Sequence, residues 1–427
     1  MPPSARTHDA AASAVEPLSR PLAAAPGLPD LLTAFLDLPY PALLDSALLD
    51  GKLGRYSYLT ADPFLVIRSK GRRVEVERTG GTTAHLEADP FLVLRDLLRR
   101  YRLSPVPTLP PFQGGALGYL AYELGHHLEK LPHRAADDLG LPEMNVALYD
   151  WAIARDHARG STWAIATGFP AGGRDAAAAR LEWIEGRLRE GHPARAGSGA
   201  LPVASGLVSN FSRDAYLASV RKVKECIVAG DIYQVNLSQR FEAAIACTAW
   251  DLYRRLRQVN PAPFAAYLQY PEVSVLSASP EEFLRLERGR ARSRPMKGTR
   301  PRGVDAGEDA ALASKLQASA KDRAENVMIV DLVRSDLGKV CVPGTVQVPE
   351  LFAIESYPTV LQMVSTVSGQ PRPGVDAVDL LRACFPGGSV TGAPKIRALE
   401  IIDELEPTQR SVYCGAIGYI GFDGSLL

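Results

Sequence analysis

Val146-Ala-Leu-Tyr-Asp-Trp-Ala-Ile-Ala-Arg155, then Thr162-Trp-Ala-Ile-Ala-Thr167, then Ala176–Arg189 is the stretch whose reading decides the class of fold. In the first two segments β-branched and aromatic residues recur between Gly and Asp breaks, the pattern of strands. The third is charged with a Leu and Trp face, the pattern of a helix. Working towards the N-terminus, Phe64–Arg68, Arg73–Glu77 and Gly115–Tyr122 read as strands by the same criterion. Residues 1–27, dominated by Ala, Pro and Ser without a continuous apolar run, read as a loose tail rather than a signal peptide. Towards the C-terminus, Gly191–Gly206 (GHPARAGSGALPVASG) is a Gly-, Pro- and Ala-rich linker. It divides an N-terminal subdomain, 28–190, from a second region, 207–427.

In that second region Ser212 and Asp214 open a helix over Ala215–Ala229, which Gly230 stops. Strands are expected at Val235–Ala244, Ala265–Gln269, Ser274–Ser277 and Phe283–Glu287, and helices at Glu308–Arg334 and Val378–Ala383. Strands and helices are both plentiful without βαβ regularity, so the class is α+β. The 427 residues are 46% hydrophobic, enough for a large core, and 48 basic residues balance 48 acidic ones. That balance argues against a nucleic-acid binder. The five cysteines show no metal spacing and read as reduced thiols of a cytoplasmic protein. No apolar run approaches the ~20 residues of a membrane span.

Chemistry is densest in Arg294-Pro-Met-Lys-Gly-Thr-Arg-Pro-Arg-Gly303, with four cations in ten residues. A solvated basic loop is the plain reading, but Pro and Gly suggest a fixed backbone. Positive neighbours would lower the pKa of Lys297 and expose a nucleophilic amine. Ser279-Pro-Glu281 ends one strand and precedes another; on a shared hairpin Glu281 would meet Lys297 as a proton-transfer pair. Lys321–Gly338 reads as a helix with Glu325 beside an apolar face, either a rim residue or a hard-metal ligand. Phe385-Pro-Gly-Gly-Ser-Val-Thr-Gly-Ala-Pro-Lys-Ile-Arg397 is a Gly-rich loop entering a helix. It reads either as a tight turn or as an anion cradle of backbone N–H groups, and it lacks the ending of a P-loop.

In this order GDIYQVNLSQRF (Gly230–Phe241), SASPEEF, RPMKGTRPRG, ENVMIVDLVRSDLG and FPGGSVTGAPKIRALEIIDELEP resemble the chorismate-utilising, anthranilate synthase component I family. The resemblance covers roughly Leu43–Gly424. It implies a four-layer α/β/β/α sandwich of two antiparallel sheets, a Mg²⁺ requirement and chorismate as substrate. It places Glu325 on a metal ligand, Glu281 on the residue handling the proton of the departing C4 hydroxyl, and Thr391 and Gly392 in the loop lining the substrate. Lysine at 297 marks the branch that aminates C4 and keeps the enolpyruvyl group; anthranilate-forming members carry alanine there. Gln234 stands where water-adding relatives carry a lysine base, and Asn236 agrees with the aminating branch. The chain shows no glutaminase signature, so a separate glutamine amidotransferase subunit is expected to supply ammonia.

Leu43-Leu-Asp-Ser46 and Asn260-Pro-Ala-Pro-Phe264 resemble segments of the family's tryptophan pocket, with Ser46, Pro263 and Phe264 as its residues and Asp45 replacing the usual Glu. Gln362 replaces a family histidine that contacts the ring, which implies slower turnover. Relatives also continue past Leu427 through a substrate-binding arginine, a carboxylate loop and glutamates of the Mg²⁺ site. A C-terminally shortened chain is therefore expected to have little activity. The alternatives are the anthranilate-forming branch and a catalytically silent binding subunit.

Overall fold

A computed structural model describes residues 14–22, 26–49, 53–191 and 205–427. Its centre is a pair of antiparallel sheets packed face to face. The first has seven strands in the order Leu18–Pro21, Ser161–Ala166, Trp151–Asp156, Tyr56–Thr60, Ala42–Asp45, Phe264–Gln269, Ser274–Ser279. The second has six, running from Ala416–Gly421 through Gly115–Leu120, Met144–Tyr149 and Leu65–Lys70 to Arg73–Arg78 and Thr83–Glu87. A five-stranded portion built on Val360–Gly369 joins the second sheet through Leu426, which bridges both Ile420 and Leu286.

Period-two alternation explains the layers. Along Trp151–Asp156, Trp151 and Ile153 pack under helix Arg174–Glu190, while Ala152 and Ala154 face the space between the sheets. Along Met144–Tyr149, Met144, Val146 and Leu148 face the helices Pro90–Leu98, Ala320–Gly338 and Ala377–Cys384, while Ala147 and Tyr149 point inward. Strands buried on both faces read as nearly continuous apolar runs. The inner layer closes on aromatic edges, Tyr58 against Tyr419 and Tyr119 against Tyr270. The expected α/β/β/α sandwich is what forms. None of the described helices is long and apolar enough to cross a membrane.

Several boundaries differ from the sequence reading. Val146–Arg155 is two strands in different sheets, because the chain crosses between them at Asp150. There the buried carboxylate takes a bond from Arg180 Nε at 3.0 Å, and the Asp150 carbonyl takes the Thr167 N–H. Val235–Ala244 is interrupted after Val235 and resumes at Phe241. The helix expected over Glu308–Arg334 breaks at Ser319, whose hydroxyl caps the second half by accepting from Asp322 N. Leu18–Pro21, inside the segment read as a tail, pairs with Ser161–Ala166 as an edge strand, because that strand's free ladder satisfies its backbone. Residues 1–13 and 23–25 of the tail and 192–204 of the linker lie outside the described residues. The segments on either side of the linker share both sheets: Phe264–Gln269 pairs with Ala42–Asp45, and Ala416–Gly421 with Gly115–Leu120.

Candidate active site

The site lies at the seam of the sheets. Lys297 is carried not by a loop but by the strand Met296–Pro301, paired with Val360–Gly369. The register slips between Met296 and Thr299, and such a bulge re-aims a side chain. Gly298 permits it, with φ +87 and a position where a Cβ would stand 2.9 Å from Asp322 Cβ.

The cationic cluster around Lys297 disperses in space. Arg294 pairs with Glu355, Arg300 with Asp322 at 2.7 Å and Arg302 with Asp309 at 2.8 Å. These carboxylates draw the guanidinium groups away. Lys297 Nζ instead donates to the carbonyl of Ser389 at 2.9 Å and lies 3.9 Å from Glu325 Oε1.

Glu281 reaches the same place from the other sheet, not from a shared hairpin. It follows the edge strand Ser274–Ser279, and the hairpin Arg285–Ser293 separates it from Lys297 in the chain. Burial pushes its carboxyl up to about 7, against the opposing pull of a Ser389 hydroxyl bond and the charge of Lys297. Its neighbour Glu282 has the opposite fate. Burial raises it too, but Arg285 and Arg292 outweigh that and hold it below the usual range. Of the two adjacent glutamates, only Glu281 is poised to carry a proton near neutral pH.

Glu325, on helix Ala320–Gly338, accepts from Gln234 Nε2 at 3.0 Å. Gln234 in turn sits on a two-residue strand whose partner is Gly392–Ala393. Gly392 serves that approach: a Cβ would fall 2.2 Å from the Gln234 carbonyl oxygen. The Thr391 hydroxyl, fully buried, is committed to the carbonyls of Gly387 and Gly388 at 3.1 and 3.3 Å. These two residues therefore shape the loop from within. Gln362 is held by Thr299 Oγ1 at 2.9 Å.

The Gly-rich loop works in the opposite sense to an anion cradle. Its N–H groups at Val390 and Thr391 are spent on Gly387 and Gly388, and its carbonyls point to cations. Pro386 and Cys384 carbonyls each accept from Lys395 Nζ at 2.9 Å, Ser389 accepts from Lys297, and Val390 accepts from Arg410 at 2.9 Å. Two cavities meet at this loop. One of about 670 Å³ runs between the sheets and reaches Glu281 and Ser389. The other, about 510 Å³, is lined by Lys297, Asn236, Ser389 and Arg410.

The segments read as a tryptophan pocket come together only in part. Ser46 Oγ lies 3.5 Å from the Pro263 carbonyl but donates at 2.6 Å to Tyr56 O, and Phe264 lines the larger cavity. Asp45 is buried among Tyr253, Arg257 and Ser57.

Among the described residues no three His, Cys, Asp or Glu side chains gather at metal-binding distance. Mg²⁺, however, commonly takes one or two carboxylates and keeps its waters, so the partly exposed carboxylate of Glu325 fits one side of such a site. Sequence reasoning did not single out Ser389, Lys395 or Arg410. Only the spacing of Arg410 four residues after Glu406 gave a signal.

Fold and site define a class. The chain belongs to the family of chorismate binding enzymes, whose family model matches residues 46–427. Aminodeoxychorismate synthase component 1 of Salmonella typhimurium is 42% identical to it over 390 residues, 91% of this chain and 83% of that protein. Anthranilate synthase component 1 of Thermus thermophilus is 44% identical over 320 residues, 75% of this chain and 68% of that protein. The crystal structure of anthranilate synthase component I from Streptococcus pneumoniae superposes with a TM-score of 0.78 at 29% identity, covering 87% of this chain and 82% of that one.

Proposed function

We propose that this chain is the chorismate-aminating component of an aminodeoxychorismate synthase, converting chorismate and ammonia to 4-amino-4-deoxychorismate and water. The observation that carries the reading is the seating of Lys297 on a neutral carbonyl, close to a glutamic acid that holds its proton to about pH 7. In this reading the free amine of Lys297 adds to C2 of the ring, both ring double bonds shift, and the C4–O bond breaks. Glu281 gives its proton to the departing hydroxyl, which leaves as water. Ammonia then adds at C4, both double bonds return, and the C2–N bond to Lys297 breaks. The proton lost by the new amine restores Glu281.

Mg²⁺, held on the protein side by Glu325, would neutralise the substrate carboxylate. Gln234 orients Glu325, while Thr391 and Gly392 set the loop that borders the ring. Ammonia would come from a glutamine amidotransferase subunit; the component 1 naming of the relatives supports a partner subunit.

The test is to incubate the purified chain with Mg²⁺, chorismate and an ammonium salt and to separate products by chromatography. Aminodeoxychorismate, formed slowly, is the expected product. Anthranilate with pyruvate would place the chain in the other branch, and no turnover would favour a binding subunit.

A further inference from the structure

Arg410 is buried and tied to both segments that flank the seat of Lys297. Its Nε and one Nη donate to Glu406 at 2.8 and 2.6 Å. The same Nη reaches the Asn236 carbonyl at 2.6 Å, and the other Nη the Val390 carbonyl at 2.9 Å. The guanidinium lies over the Tyr122 ring, 4.8 Å from its centroid. Glu406, neutralised by Arg410, takes the N–H and hydroxyl of Ser238 at 2.8 and 2.9 Å. Glu123, from a turn of the second sheet's lobe, accepts the backbone N–H groups of Arg410 and Ser411 at 2.8 and 3.0 Å.

The two carbonyls that Arg410 holds flank the seat of Lys297. Val390 follows Ser389 directly. Asn236 sends its side-chain Nδ2 to the Ser389 carbonyl at 2.7 Å, the same oxygen that receives Lys297 Nζ. One planar cation thus fixes the two segments whose crossing creates that oxygen's position. A guanidinium suits this work because its donors form a rigid fork, whereas an ammonium cannot span the same acceptors.

We infer that Arg410 is a positioning residue for Lys297, acting through Asn236 and the 388–391 turn; its catalytic consequence rests on the amination reading above. A bulky reagent would meet a displaced amine at a different rate, so the reactivity of Lys297 reports its position without any substrate.

The experiment compares wild type, Arg410→Lys and Asn236→Ala. The rate of acylation of Lys297 by a limiting amine-reactive ester is read by peptide mass spectrometry, with the other lysines as internal standards. Turnover of chorismate with ammonium is measured alongside. Expected is a severalfold change in the Lys297 rate alone in both variants, with kcat down roughly a hundredfold, the scale of an ångström-level misplacement, and KM for ammonium little moved. Labelling that stays at the wild-type rate in either variant overturns the inference. If Arg410→Lys does not fold, Asn236→Ala decides alone, since it removes the connecting amide and leaves the buried ion pair intact. If wild type makes no aminodeoxychorismate, the amination reading fails while the labelling arm still judges the positioning role.

Discussion

Neutralising Glu281 should stabilise the protein in alkali while abolishing turnover. The carboxyl is driven from an ordinary value of 4.5 to about 7, mainly by burial. Between those values the folded chain keeps a proton that the unfolded chain has lost, so stability falls as pH rises across the window and the loss is complete above about 7. At about 1.4 kcal/mol per pKa unit, the cost of carrying Glu281 as a carboxylate approaches roughly 3 kcal/mol at alkaline pH. Glu281→Gln carries no such charge at any pH. Relative to wild type it should gain close to that amount at about pH 8 and little at about pH 5.

For a chain of this size an entropy of unfolding near 2 cal/mol/K per residue converts the gain to a rise in Tm on the order of 3 to 4 °C. Glu123, also raised to about 7 by burial, is common to both proteins and cancels in the comparison. The assay is a pair of thermal melts at each pH. An equal gap between variant and wild type at both, or a variant less stable in alkali, would refute a strained carboxyl at this position.

Three further outcomes follow from the same geometry. Lys297→Ala should melt near the wild-type temperature yet form no aminodeoxychorismate with ammonia supplied directly; activity retained in that variant rules out the covalent step. Glu325→Gln should shift the Mg²⁺ dependence of turnover to higher concentration while costing no more than about 0.5 kcal/mol, since its side chain is partly exposed. Overlaying metal titrations would reduce Glu325 to a rim residue. Gly392→Ala should lose roughly 1–3 kcal/mol and most activity, because the added Cβ collides with the Gln234 carbonyl and parts the short strand pair; an unchanged melt would show that the pairing tolerates separation.

The sandwich was legible because its strands alternate faithfully, with Trp151 and Ile153 outward and Ala152 and Ala154 inward. What the pattern cannot express is where a run of strand-like residues changes sheets. Asp150 does that with one buried carboxylate whose partner, Arg180, lies on a later helix. The site was legible as residue types and illegible as geometry. Glu281 and Glu282 are equivalent letters until Arg285 and Arg292 claim one of them. Arg410 gives no local sign that its guanidinium will reach Asn236, 174 positions away. Small residues at 387–392 announce close backbone approach, but composition is silent on which way the peptide planes turn, and here the carbonyls face the cations.

That orientation matters for the chemistry. A lysine held by a carboxylate is held by its charge, and losing the proton would break the attachment. A carbonyl oxygen accepts an N–H from an amine in either protonation state, so in the proposed reaction the Ser389 carbonyl would hold the Lys297 amine throughout. The arginines that surround it in sequence are neutralised elsewhere by Glu355, Asp322 and Asp309. The charge balance at the amine is therefore left to Glu281 and Glu325. Of these, Glu281 is the acid whose burial brings its titration to neutrality. Under the proposed mechanism, a nucleophile on a neutral seat beside an acid of that strength would release and recover one proton without either partner leaving its position, as a paired addition and elimination demands.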